Sequence, residues 1–340
     1  MVKKVEFDIT AFRAMSLPTE EEIVASWETG YKKPVVSILC LTFNQITYLQ
    51  DALRGFLIQK TTFPFEVILH DDASTDGTKE IVQEYSSRYP GIIKPIIQTN
   101  NQYSQGKKPS LVSFPHASGD YIALCEGDDF WISSNKLEMQ VELASQYLDC
   151  HLICHSALCL DQSGEYRHYK TGTSKKVWLI ADFIEAGGEA TPTASLLLHR
   201  SVFEGLPHWF QSAPVGDFFL QVLAASAGGR ALFINKPLSV YRVNSTGSWS
   251  KKLKPIYDKF FTDMIIHLEF LDDYLENQHT SSFSLIESKV RYSYARYLLA
   301  DSRFREARTQ ALLSIKQSRV IILKKLFVYI LSHMRVKLFV

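Results

Sequence analysis

The order of apolar and polar segments in the first part of the chain predicts alternating strands and helices. Apolar runs at 35–41 and 65–70 are typical of parallel strands that are covered on both faces. Segment 92–98 predicts a third strand, and helices are expected between the strands at 48–59 and 79–89. Strands that alternate with helices in this way predict a doubly wound α/β sheet.

A fourth predicted strand, 121–124, runs into an acidic turn at 126–129 that contains three carboxylates and Gly127. Carboxylates repel one another and are costly to bury unpaired, so this cluster indicates a bound cation. Mg²⁺ or Mn²⁺ fits, because these ions take oxygen ligands and keep positions open for phosphate. Gly127 allows a sharp turn and a close approach by a ligand. The alternative is a solvated turn that caps the helix expected from Asn135.

A second acidic cluster, 71–76, follows the strand at 65–70. Ligands of doubly wound sheets bind beyond the carboxyl ends of the strands, and both acidic clusters lie at such ends. Asp71 or Asp72 can accept hydrogen bonds from a base or a ribose, and Glu126 and Asp128 can hold a metal or a ribose near a diphosphate. Helix capping is the alternative for the end of 71–76.

Two later residues are candidates for chemistry. Asp217 opens an apolar helix that is expected to reach about residue 227, where it is either a cap or a general base. Arg242 ends a predicted strand and enters a polar loop, so it either contacts a diphosphate or an acceptor, or is a surface arginine. Strands are also predicted at 151–160, 196–200, 231–234 and 238–242, with a hairpin turn at 161–165.

Composition narrows the class of protein. With 340 residues, 46% hydrophobic and 21% charged, the chain resembles an ordinary globular protein. A net charge of +1 argues against nucleic acid as a partner. Five cysteines without paired spacing favour a reduced, cytoplasmic setting, and we expect neither a signal peptide nor a spanning helix. The glycine motifs of dinucleotide-binding and P-loop enzymes do not occur.

The C-terminal part of the chain has a different pattern. From about Lys254 it predicts consecutive helices, and 303–340 combines many basic residues with apolar runs and a single acid, Glu306. This is typical of a helix that lies in a membrane interface, so we expect peripheral membrane contact through 303–340. The alternative is a pair of helices packed on the main domain.

Three segments together resemble family 2 glycosyltransferases of the GT-A fold: 36–44, 66–78 and 119–129. The resemblance implies a Rossmann-like, mostly parallel mixed sheet flanked by helices, here followed by an α-helical C-terminal extension. It also implies an inverting, hexosyltransferase-type enzyme. The donor would be a nucleotide-diphosphate sugar, most often UDP-linked, and the acceptor a glycan or lipid-linked glycan of a bacterial surface polysaccharide.

The resemblance also implies roles for residues of the donor pocket. Thr42 and Asn44 would line that pocket, and Asp71 and Asp72 would contact the uracil and the ribose. Arg242 matches a basic position near the diphosphate.

The remaining implied roles concern the metal and the base. Glu126, Gly127 and Asp128 occupy the Asp-x-Asp position, with Asp128 as ligand of Mg²⁺ or Mn²⁺ and Glu126 on the ribose or a water. Asp217 matches the general-base position, although this chain has Gly-Asp where the family often has Glu-Asp.

We expect a leader with a short helix at 1–33, a catalytic domain at 34–250 and a helical region at 251–340. The catalytic domain would divide into a nucleotide-binding half, 34–131, and an acceptor half, 132–250. The expected location is the cytoplasm, peripheral on the inner face of the cytoplasmic membrane. Two alternatives are a nucleotidyltransferase and a catalytically inactive GT-A scaffold. The first would need a loop rich in glycine and lysine after the first strand.

Overall fold

The structure is a computed structural model that describes residues 6–169, 176–245, 256–318, 320 and 322–334. The strands are β1 Val36–Thr42, β2 Phe65–Asp71, β3 Ile93–Ile97, β4 Tyr121–Glu126, β5 Phe130–Trp131, β6 Leu152–Leu160, β7 Tyr166–His168, β8 Val177–Leu179, β9 Leu197–His199 and β10 Arg230–Arg242. The α-helices are α1 Ile9–Ala14, α2 Glu20–Val24, α3 Leu49–Leu57, α4 Thr78–Arg88, α5 Pro109–Ser113, α6 Lys136–Gln146, α7 Ile180–Ala186, α8 Ser201–Glu204, α9 Gly216–Ala227, α10 Tyr257–Tyr274, α11 Thr280–Ala300, α12 Phe304–Gln317 and α13 Ile322–His333.

The chain forms two compact units. The first comprises Met1–Ile180, Glu189–Gln211 and Leu223–Ser248, and the second comprises Ala181–Gly188, Ser212–Val222 and Trp249–Val340. The ten strands found in the described part of the chain all belong to the first unit.

The sheet of the first unit is mixed, with the strand order β3-β2-β1-β4-β9-β6-β10-β5. Strands β1 to β4 are parallel to one another, β9 is antiparallel to both β4 and β6, and β10 runs parallel to β6. The carboxyl ends of β1, β2, β4, β6 and β10 therefore lie at the same edge of the sheet, which we call the carboxyl edge.

Burial explains why the first strands were predictable. Every residue of β2 is buried, and β1 is buried except for Leu41. Helix α3 packs its apolar face into the same core, including Leu53 and Phe56. Gly55 on this helix lies against the backbone of Trp131 in β5, so that α3 packs closely on the strand that follows the acidic turn.

The leader contains two helices where one was expected, and it packs on the first unit. Thr19 caps α2 in a reciprocal capping box with Glu22. Phe12 of α1 is buried in a cluster with Phe130 and Tyr166. The leader thus contacts the residue that directly follows the acidic turn.

Two other regions differ from the prediction. β10 is a single strand through Pro237, where two strands were expected, because pairing with β6 continues after register shifts around that proline. Segment 100–118, where no helix was predicted, contains α5 and short 3-10 helices at Tyr103–Gln105 and Phe114–His116.

The second unit is helical from α10 onward. Its core contains Phe261, Leu298, Leu299 and Val328. Lys325 is buried in it and donates hydrogen bonds to the Ser288 hydroxyl at 2.6 Å and the Ser318 carbonyl at 2.6 Å. Among the described residues, no helix is both long and apolar enough to cross a membrane.

Candidate active site at the carboxyl edge

The turns after β1 and β2 are bonded to each other at the carboxyl edge. Asn44 has a left-handed backbone (φ 53°), which brings its N–H within 2.8 Å of the Ser74 hydroxyl. Its side-chain oxygen accepts a hydrogen bond from the Thr75 N–H at 2.8 Å. Ala73 in the second turn is also left-handed (φ 65°). The predicted pocket residue Asn44 therefore fixes the two turns as one body.

Asp71 and Thr42 present buried oxygens at this edge, and they are register partners on β2 and β1. Asp71 accepts one hydrogen bond, from the Ser74 N–H at 3.2 Å, through Oδ2. Its Oδ1 and the Thr42 hydroxyl are buried and have no hydrogen-bond partner within the described part of the chain. Such oxygens are costly to leave unpaired, so they are suited to receive donors from a ligand.

Asp72 anchors the following loop. Its carboxylate accepts hydrogen bonds from the backbone N–H groups of Gln102 at 2.6 Å and Tyr103 at 3.1 Å. The Asn101 side chain also donates to the Asp72 carbonyl at 3.0 Å. Contact of Asp72 with a uracil or ribose stays a prediction, and in this structure the carboxylate orders the loop beside the pocket.

The acidic turn is fixed to β1 through its glycine. The Gly127 N–H donates to the Leu41 carbonyl at 2.9 Å. A Cβ at position 127 would lie 2.5 Å from Gln45 Oε1 and 2.9 Å from Thr42 Oγ1. The turn can therefore approach the β1 turn only with glycine at this position, as the sequence suggested.

Asp128 is held by two residues from the end of the β10 segment. Its Oδ2 accepts a hydrogen bond from the Ser245 hydroxyl at 2.5 Å. Its carbonyl accepts one from Arg242 Nη1 at 2.5 Å. Within the described residues no hydrogen bond fixes the other carboxylate oxygen, which leaves Asp128 able to serve as the predicted metal ligand.

Asp129 differs from its neighbours because it is fully buried. Its Oδ1 accepts a hydrogen bond from the Arg242 N–H at 2.8 Å, and its Oδ2 has no partner in the described residues. Burial, together with the charges of Asp128 and Glu126, raises the pKa of Asp129 well above its usual range. Asp129 is therefore protonated more readily than an exposed aspartate would be, and it supports the turn in that form.

Arg242 is buried, so the alternative of a surface arginine is wrong. Its Nη2 pairs with Asp51 at 2.5 Å, and its guanidinium lies 4.5 Å from the ring centre of Phe130 and 5.0 Å from that of Tyr48. Contact of Arg242 with a diphosphate stays a prediction, since its observed partners are Asp51 and the acidic turn.

The donor set at the carboxyl edge fits a hard divalent cation. Its ligands would be carboxylate oxygens, which Mg²⁺ and Mn²⁺ prefer. Among the residues that the structure describes, no group of three or more His, Cys, Asp or Glu side chains could hold a metal alone. A Mg²⁺ bound by one or two carboxylates together with substrate phosphates needs no such group. Asp128, with Glu126 beside it, is the residue that would hold this ion.

Asp217 belongs to the second unit, whereas the other predicted site residues belong to the first. It lies in the first turn of α9, as predicted, and its Oδ1 accepts a hydrogen bond from the Phe218 N–H at 2.8 Å. Its role as a general base stays a prediction.

Sequence reasoning assigned no role to several residues that shape the edge. Asp51 carried a usable signal, because it is a charged residue on the buried face of α3. Ser245 and Asp129 carried no usable sequence signal beyond that of the residues next to them. His70, which precedes Asp71, is buried with both ring nitrogens unpartnered in the described residues, and burial lowers its pKa.

Comparison with known proteins identifies the family. Residues 37–204 match the family model described as glycosyl transferase family 2. An uncharacterized protein of Mycobacterium tuberculosis is 31% identical over 214 residues, which cover 63% of this chain and 60% of that protein. The chain therefore spans about 60% of the length of this relative. Residues 37–204 form a family 2 glycosyltransferase domain, as the sequence predicts.

Two named relatives and one solved structure are also similar. The abequosyltransferase RfbV of Salmonella typhimurium is 25% identical over 260 residues, covering 71% of this chain and 75% of that protein. The putative teichuronic acid biosynthesis glycosyltransferase TuaG of Bacillus subtilis is 33% identical over 110 residues, which cover 32% of this chain and 42% of that protein.

The crystal structure of residues 1–349 of S. aureus TarS, in complex with UDP-GlcNAc, aligns with a TM-score of 0.54 at 14% identity. The alignment covers 88% of this chain and 90% of that one. Together with the mixed sheet and the C-terminal helices, this match confirms the predicted GT-A fold.

Proposed function

We propose that this protein transfers a sugar from a nucleotide-diphosphate donor, with UDP as the first candidate, to an acceptor hydroxyl. The observation that carries the proposal is the geometry of the carboxyl edge. There the acidic turn lies against the β1 turn, next to buried oxygens of Asp71 and Thr42 that have no hydrogen-bond partner among the described residues. The family 2 domain supports the same reaction class. A nucleotidyltransferase is disfavoured by that family match and by the absence of a glycine- and lysine-rich loop after β1.

Each residue has a defined task in this proposal. Asp71 accepts hydrogen bonds from the nucleoside, and the Thr42 hydroxyl accepts or donates one. Both residues lie in the pocket that Asn44 keeps rigid. Asp128 holds a divalent cation, with Glu126 oriented toward the ribose or a metal-bound water. When bound, the cation offsets the charge of the leaving diphosphate.

Asp217 is the proposed general base. It accepts the proton of the acceptor hydroxyl while that oxygen forms a bond to the anomeric carbon. The bond from the anomeric carbon to the diphosphate breaks in the same displacement, so the configuration inverts and a nucleoside diphosphate leaves. Only orientation and proton acceptance are required of Asp217.

The acceptor is proposed to be a glycan or lipid-linked glycan of a bacterial surface polysaccharide. The names of the relatives support this class, since one is an abequosyltransferase and one a putative teichuronic acid biosynthesis glycosyltransferase.

The first test is a thermal-shift screen against UDP, GDP, CDP, TDP and ADP, each with and without Mn²⁺. We expect a metal-dependent rise in melting temperature with one nucleotide, which EDTA removes. Asp128→Asn should abolish the metal-dependent part of that rise. The matched control is Asp120→Asn, because Asp120 is an exposed carboxylate just before β4, at the opposite edge of the sheet. No shift with any nucleotide would favour the inactive scaffold.

The second test separates binding from chemistry. Donor hydrolysis and transfer to acceptor glycans are measured for the wild type and for Asp217→Asn. We expect the variant to keep the nucleotide-induced thermal shift and to lose transfer by at least about a hundredfold, as general-base catalysis predicts. Unchanged transfer would refute Asp217 as the base.

We also propose that α13 contacts the inner face of the cytoplasmic membrane. On this helix Leu323, Phe327 and Ile330 form an exposed apolar stripe that Met334 extends just beyond its end, and Leu323 is 79% exposed. A cavity of about 550 Å³ on α12 is lined by Arg305 and Arg308 together with Phe304, Thr309 and Leu312. Exposed apolar and basic side chains in the same helical region fit an anionic lipid interface.

Not all of the basic residues of 303–340 can serve this contact. Lys325 is buried, and Arg303 pairs with Asp258 at 2.5 Å and also with Glu306. Co-sedimentation with anionic phosphatidylglycerol vesicles should therefore depend on Phe327. Phe327→Glu should abolish binding, whereas Leu148→Glu, at an 81% exposed leucine of the first unit, should not. Equal binding of both variants would refute the contact, and a changed oligomeric state without vesicle binding would indicate self-association.

A further inference from the structure

A charge relay connects the half-exposed Arg13 of the leader to the acidic turn. Arg13 of α1 donates to both carboxylate oxygens of Asp51, from Nε at 2.8 Å and from Nη2 at 2.6 Å. Asp51 Oδ2 also accepts a hydrogen bond from Arg242 Nη2 at 2.5 Å. Arg242 then holds the Asp128 carbonyl through Nη1 and the Asp129 carboxylate through its N–H.

From this relay we infer that Arg13 and Asp51 are positioning residues of the active site, and that helix α1 of the leader supports the acidic turn. Arg13 lies outside the matched family segment 37–204. The inference that the relay holds the acidic turn in place without a ligand is independent of the proposed function. Only the expected effect of the relay on metal and nucleotide binding rests on the proposed function.

The geometry of Asp51 explains why Arg13 matters at a distance. Arg13 engages both oxygens of the carboxylate in a planar, bidentate arrangement, which fixes the plane of that group. In this orientation only Oδ2 faces Arg242, so Arg242 uses one nitrogen for Asp51 and the other for the Asp128 carbonyl. Without Arg13 the carboxylate is free to turn and to pair with both terminal nitrogens of Arg242. The Asp128 carbonyl would then lose its donor.

The position of α1 is itself fixed by packing. Phe12 is buried, and its ring centre lies 5.3 Å from that of Phe130, the residue after Asp129. The Arg242 guanidinium lies over the same Phe130 ring. Pairing with Asp51 raises the pKa of Arg13, which keeps it charged. The leader is thus linked to the acidic turn by the aromatic contact with Phe130, the residue after that turn, and by the charge relay.

Groups that orient a metal ligand without contacting the metal typically change metal affinity by about 10- to 100-fold when they are removed. Arg13 acts through Asp51 and Arg242, so we expect the lower end of this range. Replacement of Arg13 by methionine should raise the Mn²⁺ concentration needed for half of the UDP-induced thermal shift by about tenfold.

The deciding measurement is hydrogen exchange of the full-length protein without ligand. In Arg13→Met, the backbone amides of Asp129 and Arg242 should exchange about five- to tenfold faster, while the amides of β2 are unchanged. Arg13→Lys keeps the charge but not the bidentate contact, and should restore part of the protection. The control is Lys33→Met, because Lys33 is 51% exposed against 52% for Arg13 and pairs with Asp120 at 2.5 Å.

The outcomes separate the inference from the proposed function. Unchanged exchange at Asp129 and Arg242 in Arg13→Met would overturn the inference, whatever the protein binds. Faster exchange throughout the sheet, or the same change in Lys33→Met, would also overturn it, since Arg13 would then act only on global stability. Faster exchange confined to the acidic turn, in a protein that binds no nucleotide, would support the relay and refute the proposed function.

Discussion

Gly55→Ala gives a sharp test of how closely α3 packs behind the acidic turn. A Cβ at position 55 would lie 2.7 Å from the carbonyl oxygen of Trp131 and 2.8 Å from its nitrogen. Both are backbone atoms of β5, so no side-chain rotation can relieve the contact. To reach an ordinary contact of 3.4 Å, helix and strand must separate by about 0.7 Å.

The magnitude follows from two opposing effects. Replacing glycine by alanine inside a helix increases the free energy of unfolding by about 1 kcal/mol. Overpacking against a fixed backbone costs about 1–3 kcal/mol. The variant should therefore be destabilised by about 1 kcal/mol in urea unfolding. Because β5 directly follows the acidic turn, the same displacement should lower transfer activity by about tenfold, as misplacements of this size do.

Gly188→Ala is the control for this experiment. The Cβ added at Gly188 meets nothing within 4 Å, so its stability should change by less than about 0.5 kcal/mol. If Gly55→Ala unfolds at a higher urea concentration than the wild type, helix propensity outweighs the contact and the argument is refuted. Destabilisation without loss of activity would show that β5 can move without displacing Asp128.

Two further predictions concern buried charges. Burial lowers the pKa of Lys136 from its ordinary 10.5 to about 7, so between about pH 7 and 10.5 the unfolded chain binds a proton that the folded chain lacks. Stability should then rise with pH by up to about 1.4 kcal/mol per unit, and urea unfolding of Lys136→Met should lack this rise. Although burial acts to raise it, hydrogen bonds from Lys94, Ser37 and Ser118 lower the pKa of Glu66. Glu66→Gln should be less stable by about 1–3 kcal/mol at pH 7, and this difference should vanish as the pH falls through the pKa of the folded state. A constant difference down to pH 3 would contradict it.

The sequence predicted the elements whose causes are local. β1 and β2 were recognisable because strands covered on both faces need continuous apolar runs. Gly127 was recognisable because a sharp turn directly after a buried strand is most readily made by glycine. Asp217 at the start of α9 followed from the apolar helix behind it.

The parts that were missed depend on distant contacts. Asp51 and Arg242 are 191 positions apart, and no pattern near either residue indicates the pair. β5 has only two residues and exists because β10 pairs with it. The continuity of β10 through Pro237 likewise depends on β6, which tolerates the shifted register. In each case the fold of the whole sheet supplies the information.

The anchoring of the loop by Asp72 has a consequence for how this site can diversify. Asp72 binds the backbone N–H groups of Gln102 and Tyr103, and their side chains take no part in those two bonds. Substitutions at 102 and 103 other than proline therefore leave the anchor intact. Under the proposed function, relatives can exchange these side chains, and so alter which donor they accept, while Asp72 keeps its two bonds to the loop backbone. Selection for a new donor can then proceed one substitution at a time.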